Sequence, residues 1–132
     1  MPKGGPALSK QVILLYAPAA PWADGVKKLC ALRGLRLRPV DPGETGRTLD
    51  SLAFGKPYSP APGDPIPEPL LVLCGFSSAQ LDSLLAALRK AGVPQSCLKA
   101  VLTPSNANWT LAALYQELCR EREQMGAHIP NP

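Results

Sequence analysis

The sequence predicts an α/β fold: a three-layer, four-stranded, mainly parallel sheet of order 2-1-3-4 with helices on both faces. Three observations predict it. Two five-residue runs, VILLY at 12–16 and LLVLC at 70–74, are apolar without alternation, as strands buried on both faces are. Each run is followed by an amphipathic segment and then by a shorter, more polar strand pattern, which makes two β-α-β halves. The length of 132 residues, with 45% hydrophobic and 18% charged, suits one domain with a core of its own. The two apolar strands then take the central places.

The elements follow in order. After the first strand, residues 21–33 place Val26, Leu29, Cys30 and Leu32 on one stripe of a helix; Pro21 suits its first turn, and Gly34 suits its stop. Residues 35–38, Leu-Arg-Leu-Arg, alternate apolar and basic and read as an edge strand with one wet face, where Pro39 is tolerated. Leu49, Leu52 and Ala53 allow a short helix before Gly55. Behind the third strand at 70–74, Ser77 and Gln80 form a capping box for a helix carrying Leu81, Leu84, Leu85 and Leu88. Gly92 and Pro94 end it. Residues 98–102 are a fourth strand, placed at an edge by Lys99. Leu111, Leu114, Tyr115 and Leu118 mark the apolar face of a last helix over about 108–125.

Proline is the anomaly. Six of sixteen prolines fall between Pro57 and Pro69, whereas residues 70–129 hold only Pro94 and Pro104. The whole chain, 1–132, therefore reads as a single domain with one proline-rich strap at 56–69, extended over the surface as a crossover between the halves. Residues 1–10 and 126–132 are expected to be flexible ends.

Charge is uneven. Residues 1–40 carry seven Lys and Arg against Asp24 alone, whereas the remainder carries seven cations and nine carboxylates, within an overall +4. A basic first third attracts an acidic partner or an anionic ligand. With 5% aromatic residues and no interleaving of aromatics with basic residues, the chain does not suit nucleic acid. No run reaches membrane-spanning length, and the N-terminal decapeptide lacks a signal-peptide core, so a cytoplasmic location is expected. Cys30, Cys74, Cys97 and Cys119 lie too far apart for a zinc pattern, the only histidine is His128, and reduced cysteines are expected.

No catalytic set emerges: Ser/His/Asp and paired carboxylates are lacking, and Cys74, at a strand end, is the best nucleophile on offer. No cofactor or metal is expected. In a parallel sheet, a ligand sits beyond the carboxyl ends of the central strands. The walls of that crevice would be residues 17–22 with Trp22, then Gly75, Phe76, Ser77 and Ser78, and then the 103–109 loop with Thr103, Asn106, Asn108 and Trp109. Gly75 admits a ligand to the backbone, and the Ser77 and Ser78 amides at a helix start suit an anion.

Two resemblances follow. Residues 12–41 resemble the opening of a glutaredoxin: a strand ending in Tyr16, Ala20-Pro21-Trp22-Ala23 where that family has Cys-Pro-Tyr-Cys, then Arg33-Gly34 and a strand ending in Val40-Asp41. Both cysteine positions hold alanine, which removes dithiol chemistry. This resemblance implies the alternative fold, a degenerate thioredoxin-like mixed sheet. The second covers more of the chain: Pro69 through Gly75-Phe76-Ser77, an amphipathic helix, then Thr103-Pro104-x-Asn106-x-x-Trp109-Thr110 and a Glu/Arg-rich last helix. That pattern is similar to a family of small bacterial cytoplasmic proteins, domain of unknown function 3783, which implies no activity, cofactor or site residues. The functional expectation is a non-catalytic binding or regulatory module acting through protein contact or self-association. The alternative is a binder of a phosphorylated metabolite or nucleotide.

Overall fold

The computed structural model describes residues 11–16 and 19–128. Its elements are β1 (Val12–Tyr16), α1 (Ala23–Arg33), β2 (Arg36–Pro39), a 3-10 turn (Pro42–Glu44), α2 (Leu49–Phe54), β3 (Leu70–Cys74), α3 (Ser78–Lys90), β4 (Leu98–Val101) and α4 (Leu111–His128). The sheet order is β2-β1-β3-β4, as the sequence predicts. All five residues of β1 and all five of β3 are buried, which their unbroken apolar runs require of central strands.

Strand direction differs from expectation at one place. β1 runs parallel to β2, and β3 parallel to β4, but β1 and β3 are antiparallel, with Val12 opposite Cys74 and Tyr16 opposite Leu70. The sheet is thus mostly parallel with one antiparallel pair. The cause lies in the long connection. It leaves β2 at the end of the sheet where Tyr16 lies and enters β3 at that same end, so it never crosses over and β3 must run back. The strap is therefore a return loop rather than the expected crossover. The sheet is mixed, as in the alternative fold, but α3 separates β3 from β4 and makes them parallel, where a hairpin would make them antiparallel.

Successive side chains of a strand point to opposite faces, and the two cores divide that way. Ile13, Leu15, Leu71 and Leu73 pack with Val26 and Cys30 of α1 and with Leu84 and Leu88 of α3. Val12, Leu14, Tyr16, Leu70 and Val72 pack with Leu49 and Leu52 of α2, Leu111 and Leu114 of α4, and Ile66 of the strap. Helices thus cover both faces, giving the three layers. Leu32, placed by the sequence on the apolar stripe of α1, is instead 87% exposed, because only Val26 and Cys30 of that helix are fully buried.

The capping signals hold. The Ser77 hydroxyl accepts from the Gln80 amide at 3.2 Å, and the Gln80 side chain accepts from the Ser77 amide at 2.8 Å. Gly34 closes α1 in the left-handed conformation. α4 starts at Leu111 rather than near Asn108 and runs on to His128, so residues 126–128, expected in a flexible tail, are helical. Residues 1–10 and 129–132, expected to be flexible, lie outside the described residues. Among the described residues no helix is long and apolar enough to cross a membrane.

Candidate functional site

The antiparallel β1–β3 pair divides the expected crevice. Residues 75–78 follow β3 and residues 103–109 follow β4, and because those strands are parallel, with Leu73 beside Val101, the two loops share one end of the sheet. Trp22 follows β1 and so stands at the opposite end. Of the wall expected at 17–22, residues 17 and 18 lie outside the described residues.

At the shared end Ser77, Thr103 and Asn106 are bonded within their own loops. Thr103 and Asn106 bond reciprocally: the Thr103 amide donates to Asn106 Oδ1 at 2.8 Å, and the Asn106 amide donates to the Thr103 hydroxyl at 3.2 Å. Asn106 Nδ2 also donates to the Val101 carbonyl at 3.0 Å. The carbonyls of Trp109 and Ala107 accept from the Leu49 and Asp50 amides, so this loop caps the start of α2. Ser77 is spent on the capping box. Gly75 is exposed and adopts φ 86°, a left-handed turn that a side chain disfavours. Phe76 lines a hollow with Gln11, Arg33 and Gln80, none of them from the 103–109 loop. Asn108 and Trp109 are exposed.

Cys74 is not poised as a nucleophile. It is fully buried, its thiol donates to the Val72 carbonyl at 3.8 Å, and burial pushes its pKa up to about 12. Cys30 and Cys97 are raised by burial as well, and all four cysteines are free.

The most unusual chemistry lies at the other end of the sheet, where the strap begins. Glu44 is wholly buried and accepts from two guanidiniums. Arg38 holds it bidentately, Nη1 to Oε1 and Nη2 to Oε2, both at 2.9 Å, and Arg47 Nη1 reaches Oε2 at 2.9 Å. The Asp41 and Ser59 amides each add a bond at 3.1 Å. Burial by itself would raise the Glu44 pKa. Arg38, the two amides and Arg47 overcome it and hold the carboxyl at about 2 against an ordinary 4.5.

The same arginines grip the strap. Arg38 donates to the Pro57 carbonyl and at 2.6 Å to its neighbour Pro39, and Arg47 donates to Pro57 at 2.8 Å and to Ser51. Further along, the Gly46 amide donates to the Ala61 carbonyl, and the Ala61 amide to the Gly43 carbonyl. A Cβ on Gly46 would meet the Ala61 and Pro62 carbonyl oxygens at 2.6 and 2.7 Å, so only glycine admits the strap this closely. Tyr16 donates to Ile66, and Glu68 accepts from Tyr115 at 2.7 Å and from Arg122 at 2.9 Å. The prolines thus lie along a segment bonded to the body from Pro57 to Glu68.

Sequence reasoning missed this cluster. One signal was present: Asp41 stands three residues before Glu44 with Pro42 between, the capping-box spacing, and the box forms. Arg38, assigned to the wet face of an edge strand, has a side chain only 13% exposed.

Two hollows flank β2 around this cluster. One, of about 310 Å³, lies beyond the carboxyl ends of β1 and β2 and is lined by Lys27, Asp41, Arg38 and Tyr58 among others. The other, of about 370 Å³, runs between β2 and the strap. Both include Arg38, Pro39 and Tyr58; Tyr58 is 60% exposed, and Phe54, 44% exposed, directly precedes Gly55 of the second hollow.

Residues 69–125 match the model of a family described as domain of unknown function (DUF3783). They span β3, α3, β4 and most of α4, so the sequence signature at Gly75-Phe76-Ser77 and 103–110 is borne out, and the strap cluster precedes the matched region. Neither a curated protein nor a solved structure matches the chain.

Proposed function

We propose that this chain, whose residues 69–125 match the model of the DUF3783 family, is a non-catalytic binding module that works in the cytoplasm through protein contact. The observation that carries this reading is the face around β2. Exposed Tyr58 and Phe54 stand there on a segment that the Glu44 cluster fixes to the body. An aromatic side chain held in place loses little conformational entropy on docking, which is what contact surfaces exploit. Four free cysteines, three of them buried, suit a reducing compartment.

The test is a double substitution, Tyr58→Ala with Phe54→Ala, in the full chain. The variant is expected to keep its thermal midpoint within a few degrees. It is also expected to lose a stoichiometric partner that the wild type retains at low salt. A wild type that is monomeric and retains nothing would overturn the reading.

A second reading, a small anionic ligand at the carboxyl ends of β3 and β4, draws support from the 75–78 and 103–109 loops sharing one end of the sheet. It requires inorganic phosphate or a nucleotide to raise the thermal midpoint, and an unchanged midpoint removes it.

A further inference from the structure

We infer that the hollow between α3 and β4 binds a small amphiphilic anion, an anionic head on a short alkyl chain. This site is separate from the contact face around β2 and from the loops at the carboxyl ends of β3 and β4.

The hollow arises from the way α3 lies on the sheet. Leu84 and Leu88 hold α3 to the core that contains Ile13, Leu15, Leu71 and Leu73 of the two central strands. β4 is an edge strand with β3 as its neighbour in the sheet. Lys99 pairs with Leu71, so its side chain emerges on the α3 side of the sheet. On α3, Leu85 and Arg89 are four residues apart and share a face. With Val93 and Gln95 of the connection, these side chains line a hollow of about 290 Å³. Val93 is fully buried and Leu85 half-buried, which gives it an apolar floor. Its size stands at the lower limit of ligand pockets, roughly 300 Å³, so it suits a small molecule.

The charged groups of the hollow are both cations. No carboxylate lines it, and among the described residues neither Arg89 nor Lys99 is in an ion pair. The Lys99 ammonium donates to the Cys97 carbonyl at 3.1 Å, a neutral acceptor that leaves its charge uncompensated. Arg89 is not needed to cap its helix. The Ala91, Gly92 and Val93 amides donate to the Ala87, Arg89 and Leu88 carbonyls. Asp82, the carboxylate of α3, stands two turns before Arg89, about 10 Å along the axis. Glu68, which precedes β3, is engaged by Tyr115 and Arg122.

Two positive groups thus stand beside an apolar floor. An anionic head takes charge-assisted hydrogen bonds from the cations, and an alkyl chain removes Leu85 and Val93 from water. A bare inorganic anion forgoes the second contribution, and an alcohol forgoes the first.

The experiment titrates the full chain with octanoate, octanol, octylammonium and acetate, followed by amide NMR shifts. Octanoate is expected to saturate, to move the Val93, Gln95 and Lys99 amides, and to bind roughly fivefold or more tighter than the other three. Arg89→Glu and Lys99→Glu are each expected to weaken it roughly tenfold. Lys28→Glu, on an exposed position of α1, makes the same change in net charge and leaves binding unchanged. Thermal midpoints check folding of all three variants, and Arg89, which is exposed, carries the test if Lys99→Glu unfolds. Octanoate that does not saturate, shifts that bypass these amides, or binding that survives Arg89→Glu overturns the inference. Octanol binding as tightly as octanoate overturns it too, since the cations would then play no part, and acetate doing so removes the apolar floor.

Discussion

Glu44→Gln is expected to destabilise the chain by about 3–5 kcal/mol, the usual cost of removing one member of a buried ion cluster. The loss is large because two guanidiniums remain with an amide that cannot balance them. Arg47 is 7% exposed and the Arg38 side chain 13%, so water cannot take over the missing carboxylate. The sign of the pH dependence follows from the same group. The folded pKa of Glu44 is about 2 and the ordinary value is 4.5. A carboxyl depressed by folding stabilises fully above its unfolded pKa and loses that contribution as pH falls through the folded one. The contribution, about 3 kcal/mol at neutral pH, is therefore expected to fade between about pH 4.5 and pH 2. Urea unfolding of wild type and Glu44→Gln at neutral pH and near pH 3 checks it. The gap between them should narrow on acidification. A gap that stays constant would show that Glu44 carries no such linkage.

Leu71→Ala is expected to cost about 2–5 kcal/mol through lost burial and the cavity left behind. Leu71 is fully buried in the middle of β3, with Leu15 beside it on one side and Lys99 on the other. Its side chain packs with Val26, Leu84 and Leu88 beneath α1 and α3. Those helices are fixed by the sheet they cover, so the space has no easy way to close. A fall of roughly 10 °C in the thermal midpoint is the expected reading. Leu32→Ala serves as the contrast. At 87% exposure it should stay within about 0.5 kcal/mol of wild type.

Strand order, the two buried strands and the helix caps were legible in the sequence because each depends on local pattern. VILLY and LLVLC can only be central, and Ser77 with Gln80 can only cap. Strand direction between β1 and β3 was not legible, because it depends on where a 30-residue connection ends. That is decided by contacts distant in sequence: Arg38 with Pro57, Tyr16 with Ile66, Glu68 with Arg122. The proline content marked residues 56–69 as extended but not as bonded to the body, since proline says what a backbone cannot donate and nothing of what its carbonyls accept. Assuming a parallel β1–β3 pair then carried Trp22 to the wrong end of the sheet. Residues 75–78 and Thr103 with Asn106 share one end of the sheet, and the side chains of Ser77, Thr103 and Asn106 close the loops that carry them.

Arg38 shows the same limit from the other side. Alternation in Leu-Arg-Leu-Arg places both arginines on one face, and it does so correctly. What alternation cannot show is that Arg38 meets Glu44 of the 3-10 turn and the Pro57 carbonyl of the strap.

The strap as a fixed part of the fold, rather than a loose linker, underlies the contact face around β2. Native-state hydrogen exchange measures that directly. The Gly46, Ser59, Ala61 and Gly63 amides, bonded to Ala61, Glu44, Gly43 and Thr45, should exchange slowly, and Glu44→Gln should release Ser59 first. Exchange of these four at open-chain rates, while β1 and β3 stay protected, would contradict it.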